Sequence, residues 1–194
     1  MATYEDLERV PEGVRAEVIE GVLVTPPAPL PRHSRVQTSL AHHLGGPFDQ
    51  DDGGPGGWWI LLEVDVRFTP HLIVRPDVAG WRRERLPSPW NVRPIDVVPD
   101  CVCEVVSPSD PAADRVRKRH IYAAQRVPFY WIVDPEARTL EALRLDPTSG
   151  LWTEVGAYTD DARVRIEPFE AVELEVGRLF PPNEPRPPEG ESRT

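Results

Sequence analysis

The chain has 194 residues, of which 40% are hydrophobic and 28% charged, an ordinary balance for a soluble globular protein able to bury one core. A net charge of −10 argues against a module whose sole task is gripping phosphate backbone, but leaves room for an enzyme that gathers carboxylates. No apolar run approaches the ~20 residues of a membrane-spanning helix, and the start Met1-Ala2-Thr3-Tyr4-Glu5-Asp6 lacks the basic and apolar stretches of a secretory signal, so the cytoplasm is the expected location.

Thr3 opens a T-x-x-D capping pattern for a helix reaching about residue 10, before Pro11 and Gly13. Two β-prone runs flank Glu20-Gly21 and read as a tight hairpin. Pro26, Pro27, Pro29 and Pro31 make an extended link. Val36, Leu40 and Leu44 recur every four residues, which predicts an amphipathic helix over 33–44 that stops at Gly45-Gly46. A loop rich in Asp and Gly leads to one long β run over 58–68, a turn at Thr69-Pro70, and a strand over 72–81. Residues 82–99, dense in proline and arginine, read as a loop.

Residues 100–107 read as a short buried strand. Ser109 or Asp110 should cap a helix over 111–126, with Pro111 in its first turn. A strand over 127–133 and β runs at 139–145, 152–157, 164–166 and 172–176 follow. The last stretch, 181–194, is rich in proline and charge and reads as a disordered tail. This order predicts a mixed α+β fold, one sheet with helices packed on it, in a single domain over 1–180. Cys101 and Cys103 alternate on one strand, poorly placed to bridge each other, and read as buried free thiols.

Three charged groups stand where burial is expensive. Glu104 lies inside Cys101-Val102-Cys103-Glu104-Val105-Val106, sharing a strand face with Val102 and Val106. A carboxylate in a central strand needs a partner, a metal or a raised pKa; on an edge strand it would simply face water. Asp77 is embedded in Leu72-Ile73-Val74-Arg75-Pro76-Asp77-Val78-Ala79, where Pro76 removes a ladder hydrogen bond and signals a bulge or strand edge. Backbone donors nearby could equally satisfy it. Lys118 is the one lysine among 22 basic side chains, in a sequence that otherwise writes arginine. That background points to a position needing a compact ammonium. Asp114, Lys118 and Tyr122 fall on one helical stripe, from which a long side chain can lean toward the preceding strand.

Taken in order, Arg75-Pro76-Asp77-Val78, Pro99-Asp100 through Glu104-Val105-Val106-Ser107-Pro108-Ser109, Asp114-Arg115 through Lys118 and Tyr122-Ala123, and Val127-Pro128 through Tyr130-Trp131-Ile132-Val133-Asp134-Pro135 resemble the Uma-type restriction endonuclease family of the PD-(D/E)XK superfamily. The likeness extends upstream to Glu17-Val18-Ile19-Glu20-Gly21 and His33, and spans roughly 7–180. Departures are Ala16 for an aromatic, Glu20 for an aspartate, and Arg126 and Phe129 for a glycine and a glutamate. The resemblance implies a restriction-endonuclease-like mixed central sheet flanked by helices, with an additional β region. It implies a metal site with Asp77 and Glu104 as ligands and Glu17 as a further acidic ligand. It also implies that the lysine role passes to Lys118, because Val106 stands where the superfamily signature has its lysine. Hard oxygen donors suit Mg²⁺ or Mn²⁺.

The function expected on this footing is metal-dependent cleavage of DNA phosphodiesters, with Asp77, Glu104, Lys118 and Glu17 as the chemical centre. A homodimer would suit cutting of duplex DNA. Any DNA-binding surface should be local: Arg82, Arg83, Arg85 and Arg93, or Arg115, Arg117 and Arg119, unless these are ordinary solvated charge. The net charge keeps open a catalytically silent member used as a binding module. A glycosidase built on paired carboxylates would leave Lys118 without a role.

Overall fold

The computed structural model describes residues 1–107 and 114–182. In chain order, α1 (Tyr4–Glu8) leads to a hairpin of β1 (Glu17–Ile19) and β2 (Val22–Val24), and α2 (Pro31–Leu44) to β3 (Trp58–Leu62), β4 (Val66–Thr69), β5 (Leu72–Val74), β6 (Val78–Arg82) and β7 (Cys101–Val105). A π-helical turn, Asp114–Lys118, runs directly into α3 (Arg119–Ala124); β8 (Phe129–Asp134), β9 (Thr139–Leu145), β10 (Trp152–Thr159), β11 (Arg163–Val164), β12 (Leu174–Glu175) and a 3-10 turn, Val176–Leu179, follow.

The strands form a six-stranded mixed sheet, order β10-β9-β8-β7-β6-β3, a four-stranded sheet, order β2-β1-β5-β4, and the small pair β11-β12. Within the large sheet β7 and β8 are parallel, with Glu104 opposite Ile132, while β6 runs antiparallel to β7 and sets Val78 opposite Cys103. The pleat sorts β7 between two cores. Cys101, Cys103 and Val105 pack with Val36, Leu40 and Leu44 of α2. Val102 and Val106 pack on the other side with Tyr122 of α3 and with Ile19 and Val74 of the small sheet. Glu104 therefore points into the seam between α3 and the small sheet, as the alternation requires. Both cysteines are buried and free.

The hairpin turn is as read: Glu20 and Gly21 both have positive φ, 53° and 77°, the backbone of a tight two-residue turn. Several boundaries differ. Gly45 keeps right-handed helical geometry, and the helix continues as a π turn, Gly45–Asp49, that buries Phe48. The β run over 58–68 is two strands in different sheets, broken where Glu63 adopts φ 49°. The strand over 72–81 is likewise two, β5 in the small sheet and β6 in the large one, parted at Arg75-Pro76-Asp77. Proline cannot donate to a ladder, so the chain changes sheets there. The helix expected over 111–126 is confined, within the described residues, to the π turn and the short α3. The proposed caps Ser109 and Asp110, and residues 183–194 of the expected tail, lie outside the described residues.

Candidate active site

The crossover at Pro76 delivers Asp77 to the junction of the two sheets. Asp77 is 2% exposed, yet both oxygens are spoken for. Arg15 Nη1 donates to Oδ1 at 2.8 Å, the backbone N–H of Val105 donates to Oδ2 at 2.8 Å, and His33 Nε2 lies 3.2 Å from Oδ2. Burial alone would raise the Asp77 pKa, but the His33 hydrogen bond and the charges of Arg15, His33 and Lys118 overcome it and hold the carboxyl well below the usual range. Burial works against charge on His33 too, and the contact with Asp77 reverses this, raising its pKa.

Glu104, on β7, is buried against a second cation. Lys118 Nζ donates to Glu104 Oε1 at 2.9 Å, and the Tyr122 hydroxyl donates to the same oxygen at 2.5 Å. Lys118 and Tyr122 are four positions apart, the spacing that stacks side chains on one helical face. The ammonium also lies 3.4 Å from Glu17 Oε1, which in turn accepts the backbone N–H of Arg75 at 2.7 Å. Burial pushes the Glu104 carboxyl up to about 7; Lys118 opposes this, while Asp77 and Glu17 add to it. Lys118 is itself driven down by burial but raised above its ordinary value by Glu104, Glu17 and Asp77, so it stays charged.

The four residues singled out by sequence thus come together. Asp77, Glu104, Lys118 and Glu17 line one cavity of about 280 Å³, shared with Arg15, His33 and Arg117. Each arrives from a different segment: the crossover, β7, the π turn and β1. Sequence reasoning gave no role to Arg15 or Gln37, although the pattern held signals for both. Arg15 stands two residues before Glu17, on the same side of an extended segment. Gln37 follows His33 by one helical turn, and its amide donates to the Asp77 backbone carbonyl at 3.1 Å and to Glu63 Oε1 at 2.9 Å.

Among the described residues, no group of three His, Cys, Asp or Glu side chains stands as a ready cation cage; the Lys118 ammonium lies between Glu17 and Glu104 instead. The donor chemistry nevertheless fits a hard cation. Three buried carboxylates face one cavity, and oxygen donors of this kind suit a divalent ion. The cavity wall also carries unspent donors: Arg15 Nε and Arg117 Nε are buried without a hydrogen-bond partner among the described residues.

The two arginine clusters separate. Arg82 and Arg83 stack over the rings of Trp58 and Trp59, Arg85 pairs with Asp100 at 2.5 Å, and Arg93 pairs with Asp65 at 2.9 Å. That loop's charge is largely spent within the fold. Asp100, the other proline-aspartate position, is occupied there too, accepting the Arg82 N–H, and takes no part in the cavity. Arg117, from the second cluster, reaches the cavity wall.

The sequence profile of the Uma2 family, described as "Putative restriction endonuclease", matches residues 1–177. The chain belongs to the Uma2 family. Among solved structures, it is similar to a protein from Anabaena variabilis ATCC 29413 described as a putative nuclease belonging to DUF820, with a TM-score of 0.72 and 21% identity over 93% of this chain and 98% of that one. No curated protein matches the sequence. This likeness carries the restriction-endonuclease-like fold to this Uma2 chain. Among its described residues no helix is long and apolar enough to cross a membrane.

Proposed function

We propose that this protein is a metal-dependent endonuclease that hydrolyses DNA phosphodiester bonds at the Asp77–Glu104–Lys118 cavity. The observation that carries the reading is the convergence of three carboxylates and one ammonium, from four separate segments, on a single cavity. Buried charge of this density is costly to keep without a use for it. Membership of a family described as restriction endonucleases supplies the reaction class.

Glu17, Asp77 and Glu104 would hold a divalent ion such as Mg²⁺ or Mn²⁺, whose chemistry when bound is to acidify water and relieve charge building on phosphate. The chain's own part is positioning. Arg15 and His33 fix the Asp77 carboxylate, and the Val105 N–H locks its second oxygen to β7. Tyr122 holds Glu104 by one oxygen. Lys118, with three donors, spends its closest contact on Glu104 and can turn another toward a phosphate oxygen or the attacking water. Arg117 on the cavity wall offers a guanidinium suited to phosphate. The net charge of −10 confines attraction for DNA to this local basic rim.

The test is nicking of supercoiled plasmid by purified protein with Mg²⁺ or Mn²⁺, with chelator and Lys118→Ala as controls. Nicking lost in both controls supports the reading. Nicking that survives Lys118→Ala would refute the assignment, and DNA binding with no cleavage under any metal would favour a silent binding module.

A further inference from the structure

A second cavity, of about 440 Å³, opens beside the catalytic one, lined in part by Leu61, Glu63, Asp65, Arg75, Trp90 and Arg93. Its volume falls within the usual range of small-molecule pockets, roughly 300–1,000 Å³. Two of its walls belong equally to the catalytic site. Arg75 donates its backbone N–H to Glu17 while its side chain pairs with Asp65 at 2.8 Å. Glu63 accepts from Gln37, which also holds Asp77, and lies 3.8 Å from Arg15.

The chemistry of this cavity differs from that of its neighbour. Its ions are balanced in place: Asp65, only 2% exposed, is paired with both Arg75 and Arg93. What remains for a ligand is a ring and an acceptor. Trp90 is 59% exposed, its indole held by a T-shaped contact with Trp59 at 4.8 Å. Glu63, 39% exposed in its side chain, is a carboxylate with acceptor capacity beyond its one amide contact. It also sits at φ 49°, a backbone conformation that costs a bulky side chain and is found where structure holds a residue in place. An aromatic face and a fixed carboxylate on a charge-balanced pocket match a flat, neutral heterocycle carrying amino donors.

We propose that this cavity takes one unpaired nucleobase of the strand whose phosphate occupies the Glu104 site, stacked on Trp90 with Glu63 accepting from its exocyclic amine. This rests on the nuclease reading. The base can come from a single strand or be turned out of a duplex; either way it must leave the base stack.

The test is binding of the full chain in chelator, which prevents metal-dependent cleavage, to oligonucleotides carrying 2-aminopurine: one single-stranded, one a matched duplex, one a duplex with a central mismatch. Loss of one stacking platform weakens binding about 10- to 100-fold. Trp90→Ala should cause a loss of that size for the single strand and remove the fluorescence change of 2-aminopurine, while Trp90→Phe keeps most of both. Preference for the mismatched over the matched duplex identifies extrusion as the source of the base; equal and weak binding of both duplexes beside strong single-strand binding identifies a single-strand site. Unchanged binding by Trp90→Ala overturns the proposal, as does a shift from dimer to monomer on that substitution, which would place a second copy on the ring. If plasmid nicking persists while Trp90→Ala binds normally, the nuclease reading stands and the base pocket alone falls. If the protein neither nicks nor binds any of the oligonucleotides, both fall.

Discussion

Replacing Lys118 with methionine removes the ammonium and keeps an unbranched apolar stem in its place. Lys118 is 5% exposed and its amine lies 2.9 Å from Glu104 Oε1, so its loss takes away a charge-assisted hydrogen bond worth about 1.5–3 kcal/mol. The larger cost depends on whether Glu104 can take up a proton. Its folded pKa is raised from 4.5 to about 7, so Glu104 contributes stability that is fully present below 4.5 and lost as pH rises through 7. Above that, the wild-type carboxylate is ionised in both folded and unfolded states, and its contribution levels off. Without the ammonium the folded pKa moves higher still, and the variant goes on losing about 1.4 kcal/mol per pH unit above neutrality. From pH 7 to 9 the gap between Lys118→Met and wild type should therefore widen by roughly 2–3 kcal/mol, while staying near constant from pH 5 to 6.5. Urea denaturation in chelator at pH 6 and pH 9 reads this directly. The same experiment on Glu104→Gln and on the double variant should show the widening gone. A destabilisation equal at both pH values, or a widening with pH that persists in the Glu104→Gln background, would refute the pairing of these two groups.

Asp77→Asn should abolish nicking and destabilise the fold by about 3–5 kcal/mol at pH 7, because the Arg15 guanidinium loses its buried partner; unfolding curves and plasmid nicking check both halves. The Asp77 pKa is depressed below 3.8, so this acid contributes stability above that value which is lost as pH falls through its folded pKa. Wild type should accordingly lose its advantage over Asp77→Asn in acid unfolding titrations. Mn²⁺ at 100 times its dissociation constant should stabilise the wild type by about 2.7 kcal/mol, seen as a rise in Tm, and Glu104→Gln should cancel most of the rise. Asp65→Ala strips the partner from Arg75 and should cost about 3 kcal/mol by urea unfolding, more than Arg93→Ala, because the Arg93 side chain is 66% exposed.

The residues that converge on the cavity were more legible in the sequence than the architecture around them. Glu104, Asp77 and Lys118 each contradict their local pattern, an acid in an apolar strand or a lysine among arginines, and all three prove to be buried. The pleat of β7 and the helical stripe from Lys118 to Tyr122 followed from periodicity alone. Where the strands stop did not. Residues 58–68 and 72–81 read as continuous because β-prone residues stand on both sides of each break, but which sheet a strand joins depends on tertiary pairing that no local window contains. The break at Glu63 leaves no compositional mark, since glutamate is a poor predictor of left-handed backbone. Pro76 did leave one. Its missing donor is what permits β5 and β6 to lie in separate sheets, and the residue after it is the buried acid.

That placement explains why the site survives as a unit. The two sheets meet where the chain passes from β5 through Arg75 and Pro76 to Asp77, and each of the three does something different there. The Arg75 backbone holds Glu17 on β1, Pro76 ends the ladder, and Asp77 accepts the Val105 N–H on β7. Docking the small sheet on the large one and assembling the acids are therefore one event: Glu17 cannot approach Lys118 unless β1 is paired with β5, and Val18 opposite Ile73 is the register that does it. Loosening the seam should then disperse the site before it unfolds the sheet. Ile19, buried in that seam with Val102 and Val106, offers the means: Ile19→Ala should cost about 2–5 kcal/mol and lower nicking by more than the unfolded fraction accounts for, measured at a temperature where circular dichroism shows the large sheet intact. A loss of activity that tracks the unfolded fraction alone would mean that the large sheet and α3 hold the site without the small sheet.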